Sequence, residues 1–348
     1  MHPFTNTLIA WYEQHQRTLP WRGEKNPYKI WISEIILQQT RIEQGWNYYL
    51  QFTERFPDVA ALALAEEDEV LKYWQGLGYY GRARHLHEGA KYIYHDCKNT
   101  FPDNYEDILK IKGVGAYTAA AIASMAFDLP YAAVDGNGYR VLARVFGVDI
   151  PIDSSEGKKY FFTLAQQLLD TQQPAIFNQA MMDFGALQCK PQHPNCENCC
   201  MADFCLAFAQ QTVDQLPVKT KKTPVKNRYL YYLYIDNHSF TYIHKRDSHD
   251  IWAGLYEFPL IESPKPLSIE ELPAQQEWTT IFRHCQYTIT HVGKVIKHQL
   301  THRTIYAQFV KISIRSGEPQ FSSSIQKIAG NDLHLFPVSR LMEIGIQS

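Results

Sequence analysis

Four cysteines constrain this chain more than any other feature. Cys189, Cys196, Cys199 and Cys205 stand in one short segment, QCKPQHPNCENCCMADFC, with the spacing C-x6-C-x2-C-x5-C. Four thiolates in one loop form a soft, tetrahedral donor set, suited to zinc or to an iron–sulfur cluster. The spacing is unequal, unlike the paired C-x2-C units of most zinc ribbons. Buried apolar thiols or disulfides are the alternatives. Structural cysteines, however, rarely gather four to a loop. The total of seven is odd, and no secretory leader is visible, which argues against a disulfide scaffold. Cys97, Cys200 and Cys285 are then plain thiols.

At 348 residues the chain has room for two domains. Residues 1–212 read as helical. Tyr28–Leu37, Asp68–Leu77 and Ala116–Ala126 carry apolar residues at helical spacing, with Gly and Pro between segments. Residues 213–228 are basic and polar and hold two prolines, so they read as a linker. Residues 229–348 change texture. Tyr229–Ile235, Phe240–His244 and Arg303–Ile312 are short, β-branched or aromatic runs bounded by turn residues. The expected architecture is a multidomain chain, an all-α domain followed by an α+β domain. No run approaches the length of a membrane span, so a cytoplasmic protein with no membrane partner is expected. The net charge of −2 means that any nucleic-acid binding must rest on local patches and shape.

Lys110-Ile-Lys-Gly113-Val-Gly115-Ala-Tyr117-Thr has the form of a helix–hairpin–helix. Gly113 and Gly115 let the backbone turn tightly and approach a phosphate, and the next helix aims its N–H groups at that anion. An ordinary helical corner is the alternative. Further on, Asp135 follows an apolar stretch and precedes Gly136 and Asn137, just before a helix over Tyr139–Phe146. It is either a reactive carboxylate or a helix cap. Glu34 sits among Trp31, Ile32, Ile35, Ile36 and Leu37. Partial desolvation there would raise its pKa toward neutrality, whereas a surface position would leave it ordinary. Gln38, Gln39 and Thr40 form a polar cluster able to bond base edges. Tyr79, Tyr80, Arg82 and Arg84 combine aromatics that can wedge into a base stack with cations that can hold phosphate.

Taken together, WISEIILQQTRIEQ, WQGLGYYGRARHLH, LKIKGVGAYTAAAIASMAF, AAVDGNGYRVLARVFG, FNQAMMDFGALQC and the four-cysteine loop resemble the adenine DNA glycosylase family of the helix–hairpin–helix DNA glycosylase superfamily. The likeness runs from about Trp11 to Cys205. It implies a [4Fe-4S] cluster on Cys189, Cys196, Cys199 and Cys205. It implies the acid role for Glu34, the carboxylate facing the transition state for Asp135, and orienting roles for Tyr117 and Asn137. It implies a DNA-wedging role for Gln39 and Tyr79, beside the DNA contacts that the residues themselves suggest at Thr40, Arg82, Gly113 and Gly115. The implied activity is hydrolysis of the N-glycosidic bond of adenine mispaired with 8-oxoguanine or guanine in double-stranded DNA, by a monomer. Strand-cleaving relatives carry a nucleophilic Lys where Tyr117 stands, so this chain resembles the monofunctional branch.

Three departures are visible. Gly138 stands where the family usually has Val. Ile251-Trp252-Ala-Gly254-Leu255-Tyr-Glu-Phe-Pro259 resembles the start of the family's C-terminal Nudix-like domain. Yet Ser268–Trp278 lacks the R-E-x-x-E-E core of a pyrophosphohydrolase. The Phe-Ser-His turn that helps such domains recognise 8-oxoguanine is matched here by Leu300-Thr301-His302, which keeps the hydroxyl and imidazole of Thr301 and His302 and loses the aromatic ring.

Overall fold

The helical pattern of the N-terminal half is realised as short helices around an apolar core. The computed structural model describes residues 2–220, 225–247, 250–300, 302–321 and 324–347; Thr301 lies outside the described residues. The chain divides into two units, Met1–Leu64 with His85–Lys221 and Ala65–Arg84 with Lys222–Ser348.

In the first unit, the Pro3–His15 helix opens on Pro3, whose fixed φ suits the first helical position. It buries Phe4, Leu8, Trp11 and Tyr12 along one stripe. These pack with Phe177, Ala180, Met181 and Phe184 of the Pro174–Leu187 helix and Val141, Leu142 and Val145 of the Gly136–Val145 helix. Each large side chain so buried contributes roughly 1.5–3 kcal/mol. The Pro27–Leu37 helix starts at Asn26, whose Oδ1 accepts from Tyr28 N at 3.0 Å. It is buried on nearly every face: Tyr28, Ile30, Trp31, Ile32, Ser33, Glu34, Ile35 and Ile36 are all covered. A helix apolar all round belongs inside a protein. It packs on the Ala116–Phe127 helix, whose fully buried Ala119, Ala120, Ala121 and Ala123 let the two backbones come close.

The hairpin lies between the Tyr105–Ile108 helix and Ala116. Gly113 has φ +79°, and a Cβ there would meet His85 Cβ at 2.7 Å, so the corner requires glycine. Gly115 has ordinary extended backbone and nothing within 4 Å of an added Cβ, so it leaves the start of the next helix open.

The second unit is built on strands β1 (Lys226–Asp236), β2 (Phe240–Lys245), β3 (Tyr256–Glu257), β4 (Leu260–Ser263), β5 (Gln286–Val292), β6 (Ile296–Gln299), β7 (Arg303–Ser316) and β8 (Ile325–Ala329). One sheet runs β4-β1-β7-β5, with β6 also on β7; the other runs β3-β2-β8. The central pair β1–β7 is parallel, in register from Lys226 opposite Arg303 to Asp236 opposite Ser313. These strands are covered on both sides, which explains their nearly unbroken apolar sequence. Leu230, Tyr232, Ile305 and Ala307 face one core, and Tyr231, Leu233, Ile312 and Ile314 the other. Residues 65–84 belong to this unit. Asp68 of the Glu67–Tyr73 helix accepts from Lys245 Nζ at 2.6 Å and from Tyr256 OH at 2.9 Å, and Tyr80 OH donates to Val338 O at 3.3 Å.

The helical first half and the mixed, strand-rich second half are the architecture expected from the sequence. The acidic stretch after Ser268 is a 3-10 turn closed by a capping box, in which Glu271 Oε2 accepts from Ser268 N at 2.6 Å. Its carboxylate is thus engaged in local structure.

Candidate active site

A cleft of about 880 Å³ opens in the first unit and is lined by Glu34, Tyr117, Asp135, Asn137, Gln39 and Thr40. Residues far apart in sequence are thus brought together. Glu34 comes from the buried Pro27–Leu37 helix and Tyr117 from the first turn of the Ala-rich helix.

Glu34 is 8 % exposed. Burial pushes its carboxyl up to about 7; the Tyr117 hydroxyl bonded to it and the Arg22 cation oppose that rise, and the Asp135 charge adds to it. The surface alternative for Glu34 is therefore excluded. Tyr117 is held well above its ordinary value by burial and by the Glu34 and Asp135 carboxylates, so it stays a neutral donor.

Asp135 both caps a helix and faces the cleft. Its Oδ1 accepts from Gly138 N at 2.7 Å and its Oδ2 from Asn137 Nδ2 at 2.8 Å. Burial raises its pKa, and these donors pull against the rise. The cap and the reactive-carboxylate readings are compatible, since one oxygen is fixed by the helix and the group still lines the cleft. Asn137 is held in turn. Its Oδ1 accepts from Arg140 Nη2 at 2.8 Å, and Arg140 also donates to Gly185 O at 2.7 Å and Cys189 O at 2.8 Å. At Gly138 an added Cβ would stand 3.3 Å from Val134 Cγ1 and 3.4 Å from Met181 Cγ. The glycine thus leaves a little slack beside Asp135.

Another part of the cleft lining was not foreseen from the sequence. Asp183 is completely buried and binds two arginines, Arg17 (Nη2 to Oδ1, 2.6 Å) and Arg22. A carboxylate with no solvent must be paired, and this pairing fixes both cations at the cleft. Gln179 lines the same cleft. The only sequence signal for these residues was a Gln and an Asp at i, i+4 in FNQAMMDFGALQC, which fits two solvated side chains on one helix face equally well.

Gln39 and Tyr79 both have positive φ, 57° and 49°, in a region that non-glycine residues enter only when their surroundings compel it. Gln39 lies at the cleft. Tyr79, in the second unit, is 54 % exposed, and the Arg82 guanidinium lies 5.7 Å from its ring centre. His302, also in the second unit, is exposed, and its carbonyl accepts from Lys226 N at 3.2 Å.

The four cysteines line a single cavity with Val145, Phe184, Met201, Phe208 and Val213. All four are free thiols, as are Cys97, Cys200 and Cys285. Among the described residues no three His, Cys, Asp or Glu side chains converge tightly enough for one metal ion. Arg144 crosses the cavity edge, with Nη1 3.6 Å from Cys189 Sγ and further bonds to the carbonyls of Lys190 (2.7 Å), Pro191 (3.1 Å) and Leu216 (3.0 Å). A fixed cation beside four thiolates suits an anionic cluster, and the apolar walls exclude water. The residues present fit the group.

Comparison with known proteins shows the family to which the chain belongs. Residues 32–167 match the HhH-GPD superfamily base excision DNA repair protein family, and residues 230–347 match the NUDIX domain. An adenine DNA glycosylase of Buchnera aphidicola subsp. Baizongia pistaciae is 33 % identical over 323 residues, covering 89 % of this chain and 86 % of that protein. The adenine DNA glycosylase of Mus musculus is 39 % identical over 222 residues, covering 61 % of this chain and 43 % of that protein. Among solved structures, a thermostable thymine-DNA glycosylase superposes with TM-score 0.56 at 31 % identity, over 60 % of this chain and 95 % of its own. A trapped endonuclease III–DNA intermediate shares the fold at TM-score 0.53 and 20 % identity, over 60 % of this chain and 94 % of its own. Among the described residues no helix is long and apolar enough to cross a membrane. With a buried, near-neutral acid and a second carboxylate on one cleft, and with relatives matched over most of its length, the chain belongs to the adenine DNA glycosylases, enzymes that hydrolyse the N-glycosyl bond of adenine in base excision repair.

Proposed function

We propose that the chain is a monofunctional glycosylase that releases adenine paired with 8-oxoguanine or guanine in duplex DNA, acting as a cytoplasmic monomer. The observation that carries this reading is Glu34, a carboxyl held by burial near pH 7 in the cleft that Asp135 also lines. The adenine must leave the base stack to reach such a cleft. Protonated Glu34 donates to N7, and the C1′–N9 bond breaks with its electron pair passing to the base. Asp135, fixed by Gly138 N and Asn137, meets the positive charge that develops on the sugar. Water then adds to C1′, and the proton it releases restores the Glu34 carboxyl. Tyr117 keeps Glu34 in place and supplies no amine, so no Schiff base forms and the strand stays intact.

Cys189, Cys196, Cys199 and Cys205 would hold a [4Fe-4S] cluster, whose contribution is to brace the loop. Arg140 and Arg144 tie that loop to the helix that carries Asp135. The first unit performs the chemistry and the second reads the oxidised base through Thr301 and His302; the junction is shorter than the 213–228 linker expected from the sequence, because Val213–Gln215 forms a 3-10 turn and β1 begins at Lys226. Gln39, Thr40, Tyr79, Arg82, Gly113 and Gly115 hold the DNA.

Single-turnover assays on duplexes with adenine opposite 8-oxoguanine, adenine opposite guanine, and oxidised pyrimidines test the reading. Adenine release without strand cleavage is expected on both mispairs. Release of pyrimidines but not adenine overturns it.

A further inference from the structure

The cleft that Glu34 lines also holds an amide, that of Gln179, whose orientation is set from outside the cleft. Tyr12, 5 % exposed and outside the cleft, donates its phenol hydrogen to Gln179 Oε1 at 2.9 Å. Burial raises the Tyr12 pKa, so the proton is present throughout the neutral range. Gln179 Oε1 is the one acceptor for that hydrogen among the described residues. Turning the amide over would leave a buried O–H without an acceptor, which is unfavourable. The Gln179 amide nitrogen has no partner among the described residues and belongs to a side chain that lines the cleft.

We infer that Tyr12 is a positioning residue that locks the Gln179 amide in one orientation and thereby makes the base pocket selective for a 6-amino over a 6-oxo purine. The inference rests on the cleft being the adenine pocket. With Oε1 anchored on Tyr12, the amide edge offers its remaining oxygen lone pair beside an N–H donor. Adenine presents the complement on the edge away from N7, the N6 amine beside the bare N1, a two-bond contact of the same form as the N6/N7 pairing by which Gln reads adenine in duplex DNA. Hypoxanthine has the same outline but carries O6 next to N1–H. A freely rotating amide could flip and accept it equally well. A locked one sets oxygen against oxygen, and discrimination of this kind comes from the mismatch as much as from the favoured pair.

The test compares single-turnover release of adenine and of hypoxanthine from otherwise identical duplexes. Tyr12→Phe keeps the ring packing and removes the lock, so the adenine-to-hypoxanthine rate ratio should fall, on the order of tenfold. A merely structural Tyr12 would lower both rates together and leave the ratio unchanged, which refutes the inference. Gln179→Met separates the two levels. If it leaves both rates and their ratio as in the parent, Gln179 does not touch the base and the pocket reading fails. If it shifts the ratio while Tyr12→Phe does not, the pocket stands and the lock fails. In the Gln179→Met background, Tyr12→Phe should not change the ratio further; a further change there also counts against the lock.

Discussion

Replacing Glu34 by Gln should abolish activity and stabilise the protein at once. Burial lifts the folded-state carboxyl to about 7 from an ordinary 4.5. The folded chain therefore binds this proton more tightly than the unfolded chain does. Below about pH 4.5 the group is protonated in both states and imposes no penalty. As pH rises from 4.5 through 7 the unfolded chain ionises first, and stability falls across that window. Above pH 7 the accumulated loss is about 3 kcal/mol, from a shift of roughly 2.5 units at 1.36 kcal/mol each. Gln has the same shape and no charge to bury, so it should recover most of that amount at pH 8 and almost none at pH 4.5. Urea denaturation of parent and variant at pH 4.5, 6 and 8 measures the difference. Adenine release should meanwhile drop roughly 10³-fold, because the donated proton is gone. A gain that is equal at all three pH values, or a variant less stable at pH 8, would refute the assignment of Glu34 as a buried acid.

Asp135→Asn should retain the helix cap, since Asn also accepts from Gly138 N. Its single-turnover rate should nevertheless fall roughly 10³-fold while mispair binding persists. Cys199→Ser should remove the visible iron–sulfur absorption, lower stability by several kcal/mol and weaken DNA binding, as metal ligation and folding are coupled; an unchanged spectrum would show that Cys199 is no ligand. Changing Thr301 and His302 together to Ala should reduce the preference for 8-oxoguanine over guanine opposite adenine by roughly tenfold, equivalent to one lost hydrogen bond. Excision opposite guanine should survive, and an unaltered preference would assign that turn a structural role.

The sequence disclosed elements whose signal is local. The glycine corner at Gly113 and the aromatic and β-branched runs of β1 and β7 each depend on residues close in sequence, and the structure has the tight corner and the paired strands there. Glu34 was ambiguous because one helix cannot reveal what covers its polar side. The cover comes from an alanine-rich helix more than eighty positions later. Asp183, Arg17 and Gln179 were invisible for the same reason: their importance lies in meeting across the fold, and each alone looks like an ordinary surface residue. Asp135 posed a different problem. It caps a helix through one oxygen and still lines the cleft, so the cap does not decide against a reactive role.

The discontinuity of the second unit bears on how the chain is made. Asp68 has partners at Lys245 and Tyr256, so a ribosome must add nearly two hundred residues before those contacts can form. At ordinary synthesis speeds that interval is roughly ten to forty seconds. During it, Leu71, fully buried in the finished molecule, awaits the Gly254 segment that its side chain meets. A nascent chain of this design presents an apolar segment for far longer than a helix takes to form. Chaperone capture of ribosome-bound intermediates should therefore peak after residue 84 emerges and decline once β3 has been translated.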